Sequence, residues 1–435
     1  MAERTAAATR SKDFDPAIAA AHQALSELAP IVLLTGRAGT GKSHFIRALA
    51  NEGRIPQAIL APTGLAAMNI GGQTVHSFFG FPPRPLINHA EKPNWFFQRN
   101  AKHLKRLIVD EVSMLRADVL DAMDFALRAA RKSVRPFGGV QMLLVGDFYQ
   151  LPPVVRGDEG RLLEDAGYAS PYAFSAHALK DPPVAAFELT EVRRQRDADF
   201  IALLSAIRER RGAGEAVEAL NDACVGRSLR QKPVLLTATN AVADRYNAAG
   251  LAALPGDTAV FTGGFEGEAK GNVNERLPAP MELALKKGAR VIFTQNDSEG
   301  RWVNGSLGTV EGMDAEIVRV RMDDGGAVED VSRSTWPQAR WQWNETTRQM
   351  EVKEEFKYVQ FPLAPAWALT IHKAQGMTLD SVEIDLGRGA FAPGQAYVAL
   401  SRARSMEGLR LTRPLRESDV RVDPAIAEGL ERLGL

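Results

Sequence analysis

Cysteine occurs once in the 435 residues, at Cys224. A single thiol excludes an internal disulfide framework and any all-cysteine metal site, and makes a reduced, cytoplasmic compartment the expectation. Long apolar runs are missing too. No stretch approaches the roughly eighteen consecutive apolar residues of a membrane helix, so no membrane partner is expected. Net charge is absent, with 53 Lys plus Arg against 53 Asp plus Glu. That balance gives no global support for nucleic-acid binding, although a neutral body can carry a local basic groove. Residues 1–12 are polar and Ala-rich, lack the apolar core of a secretory signal, and read as a loose tail. There is no internal repeat of fixed period and no long low-complexity tract.

What is present is enough apolar content, 45% of residues, for two or three domains with real cores. The most informative stretch is Ile31-Val-Leu-Leu-Thr-Gly-Arg-Ala-Gly-Thr-Gly-Lys-Ser43. An apolar strand runs into GRAGTGKS, which fits G-x-x-x-x-G-K-[ST], and a helix-like segment over 44–51 follows at once. The residue types suit a triphosphate. Gly36, Gly39 and Gly41 let backbone N–H groups turn inward, and the helix starting near Lys42 adds its positive dipole end. Lys42 can reach the β/γ-phosphates and Ser43 can offer a hydroxyl to Mg²⁺. A glycine-rich turn that binds nothing is the bland alternative, and the complete motif with both flanks speaks against it.

Strands alternate with helices around this loop. Residues 14–27 read as a helix, 58–61, 106–109 and 141–145 as strands, and 117–131 as a helix. Such alternation implies a parallel sheet with functional residues at the strands' carboxyl ends. Asp110 and Glu111 end one apolar strand. Asp110 can hold Mg²⁺ and Glu111 can deprotonate an attacking water. Gln150 follows another strand in GDFYQLPPV, where it can sense a γ-phosphate or sit on the surface of a proline-stiffened loop. A second α/β unit begins with a strand at 234–237 and a helix from about 240. From about 300 to 362 the pattern changes to short strands and turns, a small β domain. Residues 80–97, rich in proline and aromatics, read as an irregular excursion.

In this order, GRAGTGKS, APTGLAAMNIGGQTVHSFFG, LIVDEVSML, PFGGVQMLLVGDFYQLPPV, LTEVRRQ, LTIHKAQGMTLD and AYVALSRARSMEGL resemble the motif set of the PIF-type (petite-integration-frequency) DNA helicases. These belong to superfamily one, in the branch that includes the RecD-like enzymes. The resemblance runs from about residue 20 to 412, and residues 121–139 look like the family's signature region. It implies an α/β fold of two RecA-like P-loop NTPase domains. Residues 1–225 would form the first, with a wedge insertion at about 80–98. Residues 226–300 and 363–435 would form the second, with an SH3-like β insertion at 301–362.

The resemblance also implies site residues. Gly36, Gly39, Thr40, Gly41, Lys42 and Ser43 would bind ATP, with Ser43 and Asp110 holding Mg²⁺. Glu111 would be the catalytic base, Gln150 would contact the γ-phosphate, and Arg194 and Arg402 would reach it when the cleft closes. Gln23 is the candidate for adenine recognition, although the family's wording around it is absent. Pro62, Thr63, Gly64, His76, Phe78, Asn304, His372 and Lys373 match segments that contact single-stranded DNA. For Phe78 and Phe79 a place in the core stands beside that role, and for Trp336, Trp341 and Trp343 stacking and core packing stay equally open. The implied activity is an ATP-dependent helicase moving 5′ to 3′ on single-stranded DNA and opening forked or tailed duplexes, as a monomer, in a bacterium or phage. The rivals are a RecD-like recombination subunit, an ATP-gated single-strand clamp that does not unwind, and an enzyme that takes RNA as its track.

Overall fold

The computed structural model describes residues 15–53, 55–87, 95–195, 197–267 and 277–435. Its first layer is a six-stranded sheet in the order Gln73–Thr74, Gln57–Ala61, Arg106–Val109, Gln141–Val145, Ile31–Gly36 and Val184–Leu189. Every pairing in it is parallel. The four central strands are buried along their whole length, as expected of apolar runs covered by helices on both faces. One face packs against the helix Ala117–Arg131, which buries Leu120, Met123 and Leu127. The other packs against Pro16–Ser26 and Lys42–Glu52. Pro16–Ser26 starts where it does because Asp15 caps it, accepting from Ala17 N, with proline at the first turn. The second Asp15 oxygen accepts from Thr190 N and Glu191 N, tying this helix to the end of the last strand.

The second layer is a parallel sheet in the order Ala368–Thr370, Val234–Thr237, Val382–Asp385 and Leu409–Leu411. The two parallel sheets each have their own apolar core. Between Val234–Thr237 and Ala368–Thr370 in the chain lie antiparallel strands. They begin at Ala259, upstream of the boundary at 301 that the sequence suggested. Glu282–Leu285 and Arg290–Phe293 bury Leu283, Val291 and Phe293 in one core with Val310, Val320 and Phe361. Four-residue strands such as these carry too little alternation to be separated from α/β segments by pattern alone. The same shortness hid Gln73–Thr74. Val184–Leu189 is half-buried and follows two prolines, so it also lacked a strand signature.

The hairpin Ser334–Asn344/Gln349–Gln360 reaches back to the first sheet. Trp341 donates from its indole to Ile59 O at 3.1 Å, and Trp343 stacks on His103 with ring centroids 4.1 Å apart. Trp336 packs near Tyr358. All three tryptophans are engaged in packing. The excursion at 80–98 lies partly outside the described residues, at 88–94. Its described feet are fixed: Phe81 stacks on Phe79, Phe97 is buried, and Leu86 N donates to Asp118 Oδ2 at 2.8 Å. Asp118 lies on the Ala117–Arg131 helix, which thus anchors the excursion.

Candidate active site

The Ile31–Gly36 strand delivers the chain into a loop in which Gly36, Gly39 and Gly41 take φ of 146°, 81° and 97°. At Gly39 the requirement is also spatial, because a Cβ there would meet Arg194 Cβ at 2.4 Å. Thr40 closes the turn by donating to Arg37 O, and Lys42 donates to Gly36 O at 2.6 Å and Arg37 O at 2.8 Å. Burial lowers the Lys42 ammonium's hold on its proton, opposed by the carboxylates of Asp147, Glu111 and Asp110. Ser43 is exposed in the first turn of Lys42–Glu52.

Asp110 and Glu111 lie at the carboxyl end of the Arg106–Val109 strand. Asp110 is 5% exposed, and burial followed by the neighbouring Glu111 pushes its carboxyl up to about 7. Burial also raises Glu111, against the pull of Lys42 and Arg402. Glu111 sits in the left-handed region, at φ 51° and ψ 44°, and its amide donates to Asp110 Oδ1 at 2.9 Å. A non-glycine residue held there carries backbone strain of order 1–2 kcal/mol. Ser43 and Asp110 provide the hydroxyl and carboxylate oxygens that suit Mg²⁺. Among the described residues no cluster of three or more His, Cys, Asp or Glu side chains forms a protein-only metal site.

The second domain completes this arrangement. Gln375 donates to Glu111 Oε2 at 3.1 Å and approaches Gln150 Oε1 at 3.4 Å. Gln150 is itself buried and donates to Asp147 Oδ2. Arg194 bonds Gly376 O and Ser401 O across the interface. Arg402 is 1% exposed, and its guanidinium bonds Val398 O, Met377 O and Ser401 Oγ. Burial, then the neighbouring Arg194, push Arg402 down to about 9. Two cations are therefore stored beside Glu111, restrained by carbonyls.

Four residues at this interface escaped the sequence reading. Gln375 lies in the TIHKAQG stretch, two residues beyond Lys373. Tyr397, in AYVALSRAR, accepts from Ala38 N at 2.9 Å and donates to Asp147 Oδ2 at 3.4 Å, so a second-domain hydroxyl holds the phosphate loop. Asp147 is buried against Arg208, at 3.0 Å, and Arg208 also reaches Glu188 and Glu209 and lies over the Tyr149 ring. The signal that could have found Asp147 is its place in GDFYQLPPV, three residues before Gln150. Nothing in the spacing marked Arg208.

The other expected residues divide. Thr63 caps the helix Gly64–Asn69, and Thr74 caps Val75–Phe79, which carries His76. Pro62, Thr63, Gly64 and His76 are partly exposed, and His372 and Lys373 are exposed just past the Ala368–Thr370 strand. Asn304 donates to Asn69 Oδ1 at 2.8 Å, bridging the β portion to the first domain. Phe78 is corrected: its ring is 5% exposed and packs edge-on against Phe79 and Phe97, so it belongs to the core like Phe79. Gln23 is exposed and donates to Glu27, one turn on along its own helix, which gives no sign of base recognition.

Two parallel α/β sheets, a phosphate loop on the first and arginines poised at their interface define a P-loop NTPase with two RecA-like domains. A family profile described as PIF1-like helicase matches residues 11–211. The chain is 38% identical to the mouse ATP-dependent DNA helicase PIF1 over 87% of its own length, and it spans 57% of that relative. Bacteroides Pif1 solved in complex with ADP-AlF4 superposes with a TM-score of 0.87 at 31% identity, covering 96% of each chain. The same Bacteroides protein bound to single-stranded DNA gives 0.70, again covering 96% of each chain. The chain belongs to the PIF1-like helicase family.

Proposed function

We propose that the chain is an ATP-dependent DNA helicase that moves 5′ to 3′ along single-stranded DNA and opens forked or tailed duplexes. The observation that carries this reading is the junction at Gln375. One second-domain side chain touches both the expected base, Glu111, and the expected phosphate sensor, Gln150, with Arg194 and Arg402 beside them. Turnover is thereby linked to how the domains sit against each other.

In this reading the loop amides of 39–43 and Lys42 bind the triphosphate, which draws Lys42 away from Gly36 O and Arg37 O. Ser43 and Asp110 would hold Mg²⁺, which would supply charge neutralisation at the phosphates. Glu111 takes the proton of the attacking water, and its raised proton affinity suits that role. Arg194 and Arg402 exchange carbonyl partners for phosphate oxygens, where a guanidinium fork stabilises developing charge. Backbone and side chains at 62–64 and 74–77, with His372, Lys373 and Asn304, grip the strand from the two domains. The excursion at 80–98 acts as the wedge and the β portion as an SH3-like strand guide. Among the described residues no helix is long and apolar enough to cross a membrane.

Strand separation on two duplexes that differ only in a 5′ or a 3′ single-stranded tail tests the proposal, with Lys42→Ala as control. Opening of the 5′-tailed duplex alone, abolished by the substitution, is the expected result. Opening of the 3′-tailed duplex alone overturns the direction. DNA-stimulated ATP hydrolysis without any opening favours the clamp instead.

A further inference from the structure

The phosphate loop and the first domain's strand-gripping residues, 62–64 and 74–77, lie at the carboxyl ends of the first sheet. The opposite end carries a different surface. Residues 99–106 and 128–135 contain eight Lys or Arg and no Asp or Glu, in a chain whose charges sum to zero. The fold clamps these two segments together. The Arg131 guanidinium bonds the carbonyls of Ala101, Lys102 and Leu104 at 2.7–3.0 Å, so that cation is spent on structure. Arg106 is likewise buried against Gln141 and Gln57, and Arg128 pairs with Asp124. Arg99, Lys102, Lys105, Lys132 and Arg135 remain, all exposed. The side chains of these five make no ion pair or hydrogen bond among the described residues.

We infer that this face is a second nucleic-acid contact, one that takes the phosphate backbone of a duplex; the inference rests on the helicase reading above. Five unpaired cations on one surface raise the local concentration of a polyanion, and phosphate contacts of this kind are independent of base sequence. A single strand is the poorer fit. Binding of single strands leans on exposed rings that stack bases, and the only ring in the two segments, His103, is already stacked on Trp343. The face is also separated from the strand-gripping ends by the length of the sheet, roughly 15–20 Å for strands of this size. The helix Trp95–Ala101 leads from the far foot of the excursion at 80–98 directly to Lys102. A duplex entering against that excursion would therefore find the cations alongside it.

The test compares the unaltered chain with a Lys102→Ala, Lys105→Ala, Lys132→Ala, Arg135→Ala variant. Affinity is measured across a salt series for a 5′-tailed duplex, the blunt duplex and the matching single strand. The expected result is a log-affinity against log-salt slope shallower by about 3–4 for both duplexes, with single-strand binding and single-strand-stimulated ATP hydrolysis unchanged. Equal weakening on single strands, or duplex binding that does not change, overturns the inference; the second result leaves an acidic protein partner as the occupant to consider. Should the unaltered chain show no single-strand-stimulated hydrolysis, it is the helicase reading that fails, and the duplex slopes still judge the face. Single substitutions Lys102→Ala and Arg135→Ala, each expected to take about one unit from the duplex slope, guard against misfolding of the fourfold variant.

Discussion

Gly394 is a point where the second domain's backbone packs closely against the first. It precedes the buried helix Gln395–Leu400, takes φ 70°, and a Cβ added there would lie 2.2 Å from Gln150 O and 2.5 Å from Tyr149 O. Gly394→Ala must therefore push the second domain from the Asp147–Gln150 segment by about 1 Å to reach ordinary contact. A displacement of about 1 Å in a catalytic constellation costs on the order of 100-fold in rate, about 2.7 kcal/mol of barrier. Nucleotide affinity should fall as well, by up to about tenfold, because the displaced helix carries Tyr397, whose hydroxyl fixes Ala38 N of the phosphate loop. Single-strand-stimulated ATP hydrolysis gives kcat, and titration with a fluorescent nucleotide gives affinity. Gly387→Ala is the control, since it has the same left-handed backbone, φ 55°, with nothing within 4 Å of the added methyl. A kcat within about twofold of the unaltered chain for Gly394→Ala, or an equal loss in Gly387→Ala, would refute the reasoning.

Two further outcomes follow from other contacts. Tyr397→Phe removes the acceptor that fixes Ala38 N, and a buried amide left without its partner loses about 1–2 kcal/mol. Nucleotide affinity should fall about tenfold and the melting temperature by a few degrees, roughly 2–4 °C per kcal/mol lost, and an unchanged affinity would show that the hydroxyl does not position the loop. At Asp419, burial alone would raise the carboxyl, but Arg413 and the amides of Arg416 and Ala390 outweigh it and hold the group below its ordinary value. A depressed carboxylate contributes stability that is full above about pH 4 and is lost as pH falls through the folded value. Asp419→Asn should therefore melt at a lower temperature than the unaltered chain at pH 7, with the gap closing toward pH 3. A gap independent of pH counts against that account.

The chemistry of the site was legible wherever it depended on residues close in sequence. The phosphate loop, the Asp110–Glu111 pair and the extent of the Ala117–Arg131 helix could be read because motif spacing and apolar periodicity are local properties. Contacts made across the domain interface were not. Gln375 and Tyr397 occur in recognisable stretches, yet their partners, Glu111 and Ala38, lie hundreds of positions away, and no local pattern encodes that meeting. Arg208 is one charge among several at the end of the helix Ala198–Glu209, with no local pattern to single it out. Phe78 illustrates the converse: an aromatic beside a capped turn suits a base or a core equally, and only the packing of Phe79, Phe81 and Phe97 around it decides. The tryptophans of the long hairpin were ambiguous for the same reason until their docking onto the first sheet was seen.

The bond from the Glu111 amide to Asp110 Oδ1 makes these neighbours a single mechanical part. With Glu111 already in the left-handed region, its carboxylate is aimed by the main chain more than by rotamer choice. Under the proposed roles, the group that would hold the metal and the group that would act as base therefore cannot be tuned separately. A change that reorients one re-aims the other, so repair after damage to either residue should come from the surrounding loops, such as 112–114, and not from its partner.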